Sequence, residues 1–260
     1  RDLHSFPTRR SSDLSPRISH VTIKASGGTV SVTGISNNGA SPKVRHVVIT
    51  VAQEDTLNTG IYNVSSSQPE IEDVTINVSQ GEYNYGVRSR LSSVLILRNA
   101  QITVSGPGTN IAVVNACPAT LWNVIAAAQG SSVSLDYGFW NEDVVHMTHI
   151  LAEIRGGYGN YGVRNSGGTV TLTNAKISAS DGAGNNYGVY SDANSVVTMN
   201  QVVAEAATGT NAVGFYNWAS SFIGNNCAIA GTGATNNHGI FNTATAGSYT
   251  VTLNNCQITG

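Results

Sequence analysis

Charge is scarce in this 260-residue chain: Asp, Glu, Lys and Arg together make up 11% of it, and the formal net charge is −2. The Lys and Arg residues are scattered, so no basic patch is present to hold a nucleic-acid backbone. No apolar run approaches the ~20 residues of a membrane-spanning helix. Three cysteines, Cys117, Cys227 and Cys256, supply neither a CxxC motif nor a paired disulfide framework. Good helix formers are sparse, whereas Gly, Ser, Thr, Asn and Val are abundant, a mixture that favours strands and turns. Nothing in these shortages or in the motifs implies a cofactor or a nucleic-acid partner.

What is present is a repeat. Nine times the chain writes a small residue, an aliphatic residue or Phe, any residue, then Asn or Ser. The anchors are Gly34, Gly60, Gly86, Ala112, Gly138, Gly162, Gly188, Gly214 and Gly239; six of the eight intervals are 26 residues, and the others are 24 and 25. A period in the twenties sustained this regularly marks a solenoid, each repeat being one coil that cannot bury its apolar face alone.

Residues 1–14 stand outside the repeat. They hold three of the thirteen basic residues, lack strand periodicity and back-translate onto a common short-read sequencing adapter, so they are read as an artefact. The native part, residues 15–260, keeps ten Lys or Arg against thirteen Asp or Glu, a net charge of −3. It shows no polar capping segment, which solenoids need to protect their open ends, so it is expected to be an internal fragment of a longer protein.

The coil beginning at Asn160 shows the construction. Tyr161–Asn165, Val170–Thr173 and Ala175–Ala179 read as three short strands, with Asn174 a tight bend between the last two and a Gly/Asp/Ser stretch closing the coil. Counterpart strands stacked at about 4.8 Å would give three parallel sheets around one core and a rod roughly 43 Å long, wound right-handed as parallel crossovers are. The residue after each anchor is always apolar, from Ile35 and Ile61 to Val163, Phe215 and Ile240. A second apolar column in the third strand runs Ile23, Ile49, Ile76, Ile102, Ala126, Ala152, Ile177, Val203, Ile229 and Ile258. Each such side chain contributes roughly 1.5–3 kcal/mol on burial.

Polar columns mark the bends. Three residues after the anchors stand Asn37, Asn63, Ser89, Asn115, Asn141, Asn165, Ser191, Asn217 and Asn242; two residues before them stand Asn58, Asn84, Asn110, Asp136, Asn160, Asn186 and Asn237. Before the third strand come His20, His46, Asp73, Asn99, Asn123, His149, Asn174, Asn200, Asn226 and Asn255. Asn tolerates left-handed bends, and its amide can bond the neighbouring coil. On these residues the chain resembles the right-handed parallel β-helix proteins of the pectate-lyase-like superfamily, with their asparagine ladders. Its NYGV and GVY repeats are similar to arrays in large bacterial surface or phage-tail-like proteins. The resemblance implies an all-β, right-handed parallel β-helix of about nine coils, an extracellular or cell-surface location and, by analogy, a homotrimeric fibre.

Enzymes of that superfamily carry clustered acids and bases on one outward face. The nearest group here is Asp136, Glu142 and Asp143 with Arg164 in the next coil, but Asp136 holds a ladder position and the other two acids fall in a turn. The NTD, DD and GHG motifs of polygalacturonase-type glycosidases are absent. His20, His46 and Asp73 stack at one bend and have the composition of a facial metal triad, although their column continues as Asn. Cys227 and Cys256 occupy equivalent positions in adjacent coils and are read as packed free thiols, since vertical stacking suits disulfide torsions poorly.

The most distinctive outward column lies two residues after the anchors: Ser36, Tyr62, Arg88, Val114, Trp140, Arg164, Tyr190, Tyr216 and Phe241. Exposed rings can stack on sugar faces and Arg can pair with acidic sugars, so Tyr62, Arg88, Trp140, Arg164, Tyr190, Tyr216 and Phe241 are the glycan-contact candidates. The competing reading is that these rings pack on one another or against an adjoining chain. A neighbouring set, Tyr85, Tyr137, Tyr161 and Tyr187, would point inward by strict alternation unless a bend turns it out. The expected function is a non-enzymatic spacer or adhesin-type β-helix that contacts polysaccharide. The alternative is a lyase, glycoside hydrolase or carbohydrate esterase whose catalytic coils lie outside this stretch.

Overall fold

A computed structural model describes residues 15–54, 57–131, 133–192, 194–243 and 249–260; the reading of residues 1–14 as an artefact lies outside them. Among the described residues the chain is all β. Its twenty-one strands pair in parallel in two sheets, wound as a solenoid of about nine turns.

Each turn contributes one short strand and one long one, as in Gly159–Asn165 followed by Thr169–Ser180. The short strands build a nine-stranded sheet that runs from Ser31–Asn38 to Asn236–Thr243. The long strands build the second sheet, from Arg17–Ala25 onward. Pairing is in register from coil to coil: Tyr161 faces Tyr187, Val163 faces Val189 and Asn165 faces Ser191. Every position of the repeat therefore becomes a column along the solenoid.

The second and third strands expected in each coil are one strand bent in the middle, so there are two sheets rather than the expected three. The bend is a single left-handed residue: His20, His46, Asp73, Asn99, Asn123, His149, Asn174, Gln201, Asn226 and Asn255 all have φ between 48° and 56°. Short polar side chains tolerate this region better than most L-residues. Neighbours on both sides keep their partners in adjacent coils, so the sheet continues across the corner. Only in the last coils does the bend divide the strand, into Ser221–Asn225 and Ala228–Thr232, then Val251–Asn254 and Gln257–Thr259.

One coil departs from the expected register. Ten residues lead from Ser191 to the bend, as from Asn63 to Asp73 and from Ser89 to Asn99, against the nine that would place it on Asn200. The bend therefore falls on Gln201 rather than Asn200, and Ile177 pairs with Ala204 rather than Val203. A one-residue shift exchanges the faces of a strand, so Ala204 is buried and Val203 is half-exposed. Asn200 still receives a bond from Asn225 Nδ2, at 2.8 Å.

The interior is a single apolar stack of the two expected columns, less Val203 and the exposed Ile258 of the last coil, joined by residues such as Val51, Leu97, Leu172 and Phe222. Amide ladders line it. Asn37 donates to Asn63 at 2.7 Å, Asn63 to Ser89 at 2.9 Å, Asn115 to Asn141 at 3.0 Å and Asn141 to Asn165 at 2.9 Å. A second ladder passes from Asn84 to Asn110 and on to Asp136, both at 2.9 Å, then resumes between Asn160 and Asn186 at 2.8 Å. An ionised Asp136 accepts from Asn110 but has no proton for Asn160, and the relay breaks there.

Candidate functional site

The outer face of the nine-stranded sheet carries two aromatic columns, not one. Strict alternation would place Tyr161 and Val163 on the same side, yet Val163 is in the core while Tyr161 belongs to a separate outer cluster. The anchor glycine makes the difference. Gly162 and Val163 both face inward, and a Cβ on Gly162 would run into Ile177 Cγ2 and sit 2.5 Å from the Gly188 carbonyl oxygen. Two successive inward residues flip the alternation, so the residue before the anchor emerges beside the residue two places after it.

Tyr85, Tyr137, Tyr161 and Tyr187 thus join the strip. The sequence signal was available in the invariably small anchor, which has no side chain to occupy the inward slot. Tyr137 stacks on Tyr161 with centroids 4.8 Å apart and planes 16° apart, and Tyr161 lies 5.0 Å from Tyr187. In the other column Tyr190 stacks on Tyr216 at 4.9 Å and 9°, and Tyr216 on Phe241 at 5.2 Å and 20°. Edge-to-face contacts tie the columns together: Tyr161 to Tyr190 at 5.5 Å, and Tyr187 to Tyr216 at 5.3 Å.

The arginines are woven into this array. Arg164 Cζ lies 4.7 Å from the Trp140 ring centroid and 5.8 Å from that of Tyr190, and its NH2 group reaches Asp192 at 3.5 Å. Arg88 sits 4.8 Å from Tyr85 and 5.5 Å from Tyr62. Buried Ile111 and Val114 interrupt the rings between these two groups. The structure thus brings Trp140, Arg164, Tyr190, Tyr216 and Phe241 into one continuous patch, with Tyr62 and Arg88 in a second.

Burial governs the electrostatics. Loss of solvent pushes Tyr85, Tyr137 and Tyr190 above the usual phenol value, Tyr187 up to about 12 and Tyr161 higher still. The phenols stay neutral donors across the physiological range. Trp140 Nε1, Arg88 Nε and Arg164 Nε are buried donors without a hydrogen-bond partner among the described residues. Ring faces are covered by neighbouring rings, so solvent meets ring edges, hydroxyls and guanidinium groups.

The other candidates resolve differently. His20 and His46 stack with centroids 4.8 Å apart, His46 Nδ1 lies 3.5 Å from Asp73 Oδ2, and Asn99 donates to Asp73 Oδ1 at 2.9 Å. The described residues include no group of three or more His, Cys, Asp or Glu side chains placed to hold a metal ion. The acids near Arg164 do not converge: Asp136 is buried in the amide ladder, and Glu142 is exposed in the turn beyond. Cys117, Cys227 and Cys256 are free thiols. Burial, reinforced by the Asp143 charge, pushes Cys117 up to about 12. No helix among the described residues is long and apolar enough to cross a membrane.

Fold and surface together define a parallel β-solenoid with an aromatic–guanidinium ladder along one sheet face. No family model matches the chain, and no curated protein matches it in sequence. Among solved structures it is similar to the A-module of the mannuronan C-5 epimerase AlgE6 from Azotobacter vinelandii, with 12% identity, a TM-score of 0.35, and coverage of 92% of this chain and 91% of that one. At that level the likeness carries no chemistry from one chain to the other.

Proposed function

We propose that this solenoid is a non-enzymatic, rigid spacer of adhesin type that contacts glycans along the nine-stranded face, in a secreted, cell-surface or phage-tail-like setting. The observation that supports the reading is the ladder from Tyr137 to Phe241. It offers a repeating row of hydroxyls, ring edges and the Arg164 guanidinium at about the strand spacing. A rigid row of neutral donors suits a polyhydroxylated chain laid along the axis, and the arginines suit carboxylated sugars. With its faces already stacked, the ladder would act through edges and hydroxyls, and ring-on-sugar stacking is confined to places where a face is left open.

The test is a glycan array of neutral and acidic polysaccharides, with a parallel assay for released products. Retention without products is the expected result. Product release would replace the spacer by an enzyme, and absence of any retention would leave a plain spacer.

A further inference from the structure

The outer column just before the anchors has a gap. It runs Tyr137, Tyr161 and Tyr187, drops to Val213 and rises again at His238. The missing ring leaves a groove of about 250 Å³ over Val213. Tyr187 and His238 form its walls along the solenoid axis, and Tyr216 and Phe241 close one side. Asn185 and Asn211 form the opposite rim, where Asn211 Nδ2 donates to Asn185 Oδ1 at 2.6 Å and Asn236 Nδ2 donates to Asn211 Oδ1 at 2.8 Å.

From this we infer a discrete binding site for one neutral pyranose, resting on the glycan-contact reading above and locating it. Val213 supplies an apolar floor, being almost fully buried at 3% exposure. At the gap the ring of Tyr187 has no aromatic partner ahead of it in its own column, so it meets the groove as a wall, 8% exposed and held edge-to-face by Tyr216. Four of the lining residues carry polar atoms that make no hydrogen bond to another described residue: Asn185 Nδ2, the Tyr187 and Tyr216 hydroxyls and the His238 ring nitrogens. An apolar floor, aromatic walls and unpaired polar groups on the lining residues match a sugar, with its C–H faces and equatorial hydroxyls. The volume falls below the ~300–1,000 Å³ of drug-sized sites, which favours a single ring over a larger ligand. No carboxylate or guanidinium lines the groove, so the occupant is a neutral hexose rather than a uronic acid.

The array supplies its own test variant. Val213→Tyr restores the residue found at the equivalent place in the three preceding coils, filling the groove while keeping a side chain that this position accepts. Methyl glucoside, methyl galactoside, methyl mannoside and glucuronate would be titrated into the full chain by ligand-observed NMR. At least one neutral glycoside is expected to bind in the millimolar range. Val213→Tyr and, as a second variant at a solvent-facing wall, His238→Ala should each weaken it by roughly tenfold or more, with unchanged melting. Full binding by Val213→Tyr, or glucuronate binding as tightly as the neutral sugars, overturns the site. Retention of polysaccharide with no monosaccharide binding also overturns it but leaves the glycan-contact spacer standing; loss of both removes the two together.

Discussion

At Gly162 the chain has room for a hydrogen and nothing more, because Ile177 and the Gly188 carbonyl occupy the space where a Cβ would go. Gly162→Ala should cost about 1–3 kcal/mol in urea denaturation, the usual range for overpacking. Pairing it with Ile177→Ala should recover part of that loss, because the array contains the same solution: Ala112 is fully buried in the coil whose third-strand column holds Ala126 instead of Ile. Asp136 presents the opposite case, a charge between the amides of Asn110 and Asn160. Burial raises its carboxyl to about 6. A folded value above the unfolded one means that the contribution is complete below about pH 4 and is lost as pH rises toward 6. Asp136→Asn should therefore stabilise the protein by about 1–3 kcal/mol at pH 8, reconnecting Asn110 to Asn160, and should have little effect at pH 3.5. A pH series of melting curves would separate the two regimes; equal gains at both pH values would contradict the assignment.

Among the elements, the aromatic columns behave as one unit because each ring is held by the next. Tyr190→Ala combined with Tyr216→Ala removes two adjacent rungs and should abolish glycan retention. It should also cost roughly 1–3 kcal/mol, since stacked and edge-to-face pairs contribute beyond simple burial. Retention that survives the double change would move the contact surface elsewhere. The raised phenol values give a second check. Tyr187 and Tyr161 should remain un-ionised at pH 11 in an ultraviolet titration, and the stability they supply should fade as pH climbs past the free phenol value toward 12 and beyond. The long strands show the same interdependence: a single left-handed residue turns the corner, and the partners above and below keep the sheet intact across it.

For the molecule as a whole, coils exchange contacts only with their neighbours, so damage should remain local before it spreads. Val163 is fully buried in a central coil. Val163→Asp places an unpaired charge there, and the expected result is a lowered first transition with hydrogen exchange accelerated around residues 159–191. An unchanged melting curve would mean that the side chain does not face inward. This linear organisation also explains why so much could be read in advance. The repeat, the interior column after each anchor, the ladder positions and the bend residues are all consequences of period and residue type, which one coil repeats to the next. Gln201 and Ala204 escaped because the interval from ladder residue to bend varies between coils, and Asn200, a better bend residue by type, stands directly before the Gln that turns the corner.

Composition and periodicity alone were sufficient for the solenoid, its amide ladders and one outward column of rings and arginines, since each follows from side-chain chemistry repeated at a near-constant interval. They were not sufficient for the second column: Tyr137, Tyr161 and Tyr187 emerge because a glycine presses against the opposite wall of the coil, a contact between residues fifteen apart that alternation does not encode. Nor could they show that the rings stack on one another with their faces covered, that Arg164 is clamped between Trp140, Tyr190 and Asp192, or that Val213 leaves a groove. Those features depend on the spacing and tilt of neighbouring coils, quantities that exist only once the chain has wound around its core.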